Sequence, residues 1–78
     1  MTTKLLKRCL PKAIYYIGKT KMLAAEMLEE TTYEDLKNSL HNMCCEFNGK
    51  RYKALGFEFC NTSKIFKGQV IGIVIEDI

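Results

Sequence analysis

A chain of 78 residues, 47% hydrophobic and 27% charged, has room for one core, so it reads as a single domain, 1–78, and global disorder is excluded. The formal charge of +3 is modest, and no apolar run approaches the ~20 residues that span a bilayer. There is no signal-peptide apolar region, and the four cysteines read better as thiols than as disulfides. The expected location is therefore the reducing cytoplasm, not a membrane or the cell exterior.

In chain order, Thr2 or Thr3 can cap a first helix, Lys4 to Leu10, with Leu6, Cys9 and Leu10 on one face and Lys4, Lys7 and Arg8 on another. Pro11 interrupts it, because proline breaks an interior turn and is tolerated in a first one, so a second helix is expected from Pro11 or Lys12. Residues 19–30 carry the helix formers Met22-Leu23-Ala24-Ala25-Glu26-Met27-Leu28, while Ala13 to Ile17 is compatible with helix or with a short strand. Thr31 and Thr32 stand three residues before Glu34 and Asp35, the spacing of a capping box. Tyr33, Leu36, Leu40, Met43, Cys44 and Phe47 then follow a helical stripe, which predicts a helix over 33–48. Asn48-Gly49 is read as its left-handed cap in preference to a hairpin turn between strands 43–47 and 50–54.

Beyond Gly49 the apolar residues alternate, with a phase slip near Gly56 that marks a bulge. Cys60 ends this strand, Asn61-Thr62-Ser63 is turn chemistry, and Ile65-Phe66 is an apolar plug. Gly68 leads into Val70 to Ile75, six apolar or glycine positions in a row with no polar face. The expected fold is α+β: a helical amino-terminal half of two to three helices, 3–48, packed on a small antiparallel hairpin, 50–77. Two strands make no durable sheet, so the last strand needs further cover. That requirement predicts a homodimer with Phe57, Phe59, Val70, Ile71, Ile73, Val74 and Ile75 in or under its interface.

The charges fall in blocks. Residues 1–21 hold six cations and no acid, 26–46 hold six acids and only Lys37, 50–67 are basic apart from Glu58, and Glu76-Asp77 close the chain. Blocks of this kind pair with one another or meet an anionic partner, and self-pairing is the simpler outcome. Gly18-Lys19-Thr20 lacks the upstream glycine of a phosphate-binding loop, and His41 with Cys44 lacks the paired motifs of a zinc site. Glu29-Glu30 and Glu34-Asp35 suit helix termini better than acid–base chemistry. No catalytic residue, cofactor or metal is therefore assigned.

The functional expectation is a small non-enzymatic binding protein that regulates or inhibits a macromolecular partner, foremost a protein, by occupying it. Such economy suits a virus or mobile element. The alternative is a DNA-binding regulator laid out like a winged helix, in which Lys37, Asn38, His41 and Asn42 read the groove and Lys50, Arg51 and Lys53 hold phosphate. The same residues are the candidate contacts for any partner.

Overall fold

The computed structural model describes residues 8–41, 43–58 and 63–78. The expected first helix, Asn42, Phe59, Cys60 and the Asn61-Thr62 part of the turn lie mostly or wholly outside these residues. The rest form seven strands and one helix: β1 Cys9–Ile17, β2 Thr20–Met27, β3 Thr31–Thr32, α1 Tyr33–Leu40, β4 Cys44–Phe47, β5 Lys50–Glu58, β6 Lys64–Ile65 and β7 Val70–Asp77. Five strands make one antiparallel sheet in the order β1-β2-β7-β5-β4, and β3 pairs with β6 in a separate ribbon. The α+β expectation is thus overturned. The protein is mostly β, with a single short helix among the described residues.

The largest departure is β2, where a helix was expected. Met, Leu and Ala favour a helix locally, yet here they alternate: Leu23, Ala25 and Met27 turn into the core, fully buried, and Ala24 and Glu26 lie on the other face. β2 joins β1 on one side and β7 on the other, with Leu23 opposite Ile73 and Ala25 opposite Ile71. Propensity differences of a few tenths of a kcal/mol per residue cannot outweigh burial of side chains worth roughly 2 kcal/mol each.

Residues 12–18 follow the strand alternative. Pro11 sits at the register shift between Pro11 and Ala13 on an edge strand, one of the few places in a sheet that tolerates proline. Gly18 has φ +62° and opens the two-residue turn from Ile17 to Thr20, the geometry that a tight hairpin with glycine first requires.

The expected helix over 33–48 stops at Leu40, with His41 already extended. Its start is as read from sequence: Thr32 caps it, its hydroxyl accepting from the Asp35 amide at 3.1 Å. Asn48-Gly49, with φ +53° and +77°, form the two-residue hairpin turn between β4 and β5 and not a helix cap. The stripe named Cys44, but residues 43–47 alternate by two, and Met43, Cys45 and Phe47 are the ones that pack inward.

β5 and β7 pair antiparallel, with the register shift between Ala54 and Gly56 where the phase slip lay. β7 is the central strand. The sheet curls until its edge strands flank one cleft, with Ile14 of β1 and Phe47 of β4 lining it beside Tyr52 and packing on one core. Ile71, Ile73 and Ile75 meet Leu23, Ala54 and Phe57 inside that curl. Leu36 and Leu40 of α1, with Ile65 of β6, complete the core and are buried. No helix among the described residues is long and apolar enough to cross a membrane.

Candidate functional site

The charge blocks meet one another. Arg8 Nε lies 3.7 Å from Glu29, Lys12 Nζ 2.9 Å from Glu26, Lys21 and Lys50 2.7 and 3.1 Å from Asp77, and Lys64 3.1 Å from Glu30. Every pair joins a basic block to an acidic one. Partly exposed pairs of this kind contribute at most about 1 kcal/mol each, so their main effect is to cancel field that a polyanion would otherwise feel.

Asp77 is a node at the end of the curl opposite the helix. The Lys21 ammonium, then that of Lys50, hydrogen-bonds its carboxylate and holds its pKa below the ordinary 3.8. The same bond raises Lys21 above 10.5. Both ammonium groups lie over the Tyr52 ring, 4.7 and 5.7 Å from its centroid. Lys50, expected to bind a partner, is engaged here.

The other expected contacts divide. Arg51 and Lys53 are exposed on β5, but Glu46 stands opposite Arg51 and Glu76 opposite Lys53 in register, so each cation has an acid as its cross-strand neighbour. Lys37, Asn38 and His41 are exposed on or just past α1. Lys37 and His41 line a crevice between α1 and β5, whose walls include Tyr33, Leu55, Gly56 and Phe57. Tyr33 packs on Phe57 with ring centroids 4.9 Å apart and planes at 46°. No ion pair among the described residues uses Lys37. The walls of this crevice are aromatic and aliphatic, with Lys37 and His41 as its charged or polar members.

Sequence reasoning missed Tyr33 and Leu55 as site residues. Tyr33 falls on the helical stripe read from the sequence, and Leu55 beside the phase slip near Gly56. At the bulge the alternation breaks: Ala54 and Phe57 face inward while Leu55 is 55% exposed. The slip near Gly56 was the available signal, and a slip of one position turns a side chain to the other face.

The expected dimer contacts are spread over both faces of the sheet. Ile71, Ile73 and Ile75 are buried within the chain, Phe57 packs against the core, Val74 is half-buried and Val70 is exposed. The cover sought for β7 thus comes in large part from β2, β5 and α1 of the same chain.

Gly18-Lys19 is a hairpin tip, with no phosphate-cradling loop before a helix. Among the described residues no group of three histidine, cysteine or acidic side chains converges to hold a metal. Cys9, Cys44 and Cys45 are free thiols. Burial pushes Cys9 up to about 12 and Cys45 up to about 11, so both stay protonated and poorly nucleophilic. Comparison of the chain with protein-family models, with curated proteins and with solved structures found no match.

Proposed function

We propose that this chain is a small binding module that acts by occupying a protein partner, whose apolar side chain enters the crevice between α1 and β5. The observation that carries this reading is the crevice itself: Tyr33, Leu55 and Phe57 line it, and Lys37 and His41 stand at its rim. Large exposed apolar side chains are costly to leave in water unless something covers them, and a polar rim around an aromatic centre is how protein interfaces are built. The cross-strand acids beside Arg51 and Lys53 favour a protein over a nucleic acid. The winged-helix layout needs three helices, and only one is described.

Gly56 provides the test. It lines the crevice, a Cβ built there meets nothing within 4 Å, and its backbone is not in the left-handed region, so Gly56→Leu adds bulk at the crevice wall without straining the backbone. Affinity capture from the native host, followed by mass spectrometry, should retain a protein with the wild-type chain and lose it with Gly56→Leu at unchanged melting temperature. Equal capture by both chains overturns the assignment of the crevice. Capture of nucleic acid alone, released steeply by salt, overturns the protein reading.

A further inference from the structure

Among the described residues the five-stranded sheet ends on two edges, β1 and β4, and the cleft between them is open. The pairings β1–β2, β2–β7, β7–β5 and β5–β4 are all antiparallel, so β1 and β4 run in the same direction. One further strand between them can therefore lie antiparallel to both. The two-residue turns fix which backbone groups it would meet. Ile17 and Thr20 close the first turn, and Phe47 and Lys50 the second, so each of these pairs exchanges both of its hydrogen bonds. Alternation from there turns the amides and carbonyls of Ile14 and Tyr16 on β1, and of Cys44 and Glu46 on β4, towards the open edges. Among the described residues no backbone hydrogen bond outside the strand ladders engages any of the four.

We infer that this cleft takes an extended peptide segment of a protein partner, which enters as a further strand antiparallel to β1 and β4 and carries apolar side chains at alternate positions. Edge strands are normally guarded by charge, proline or brevity. β4 is short and carries Glu46, and Pro11 guards the start of β1, but the stretch from Ala13 to Ile17 reads Ala-Ile-Tyr-Tyr-Ile, with neither charge nor proline. It is an edge left open to pairing. What it offers is a row of main-chain donors and acceptors at strand spacing, which another polypeptide backbone matches and a nucleic acid does not. The inward wall of the cleft is apolar, made by Ile14 and Phe47, both only partly buried, beside Tyr52. Every second side chain of an inserted strand falls on that wall, and those between point to solvent. Lys12 and Lys50 also line the cleft but are paired with Glu26 and Asp77, so recognition rests on backbone and apolar contacts more than on charge.

The test is selection of short random peptides, displayed on phage, against the full chain, followed by amide hydrogen exchange with an enriched peptide bound. Enriched peptides should alternate apolar with polar residues, and their binding should slow exchange at Ile14, Tyr16, Cys44 and Glu46. Tyr16→Pro removes an outward amide and no bond of the β1–β2 ladder, so it should weaken binding about tenfold at a similar melting temperature. Glu46→Pro should do the same from the other edge. The exchange measurement uses the wild-type chain, so a proline variant that fails to fold does not decide the matter. No enriched peptide, enriched peptides without alternation, slowed exchange confined to other strands, or binding indifferent to both prolines in folded variants would each overturn the inference. So would a chain whose mass doubles in light scattering and returns to the monomer with Tyr16→Pro, because a second copy then fills the cleft. Gly56→Leu, which lies outside this cleft, should leave peptide binding unchanged, so failure here is separable from failure of the crevice between α1 and β5.

Discussion

On β7 the inward Ile71, Ile73 and Ile75 are at most 3% exposed, while Val70 and Val74, on the outward face with Gly72 between them, are exposed and half-buried. Both faces are apolar, yet only one is a core. Curling gives the inward face a small concave volume that five strands and one short helix can fill. The convex face is covered only in part, with Met22 fully buried on it and Val70 47% exposed, and it is built in part from small residues, Ala13, Ala24 and Gly72 in register across β1, β2 and β7. A strand apolar on both sides therefore does not need two layers. It needs one full core, with an outer face built in part from small residues.

The sharpest way to break this comparison is to shorten adjacent residues on opposite faces. Ile73→Ala should cost about 3 kcal/mol, a large fraction of the stability of so small a domain, whereas Val74→Ala should cost under about 1 kcal/mol. Urea unfolding monitored by circular dichroism measures both. Equal costs would mean that the outer face is as tightly packed as the inner.

A finer comparison uses neighbouring thiols on β4. Cys45 faces inward and is buried, and Cys44 is half-buried opposite Lys53. Native labelling with a maleimide, read by peptide mass spectrometry, should modify Cys44 first. Cys9 and Cys45, buried with raised pKa values of about 12 and about 11, should react only as the chain unfolds. Labelling of Cys45 as fast as Cys44 would show that the curl opens at its edge.

The smallest effect concerns pH. Asp77 has its pKa lowered by Lys21 and Lys50, so its contribution to stability is present above the unfolded value of 3.8 and is lost as pH falls through the lower folded value. Lys21 is raised above 10.5, so its contribution is complete below that value and is lost as pH rises through the higher folded one. The wild-type chain should therefore melt slightly above Asp77→Asn near neutrality, and the difference should close on acidification below 3.8. A difference that persists in acid would point to packing over charge.

Part of this was legible in the residues. The Thr32 cap, the bulge near Gly56 and the antiparallel pairing of 50–58 with 70–77 all rest on interactions within a few residues or on unbroken alternation. The site was less legible. Lys37 and His41 do reach one crevice, but Lys50 is drawn to Asp77, and Arg51 and Lys53 face acids that only strand register brings opposite them. Register is a property of two strands together, and no single stretch of chain reports it.

The sequence by itself determined the start of the helix, the irregularity near Gly56 and an apolar final strand. Each follows from residue types and spacings within one short stretch of chain. Only the tertiary structure decided that 20–27 is a strand, that the helix ends at Leu40 and that the sheet curls around β7. Local preference for helix at Met22 to Leu28 is weak, while pairing with β1 and β7 buries Leu23, Ala25 and Met27 together, and that larger free energy exists only once the distant strands have met.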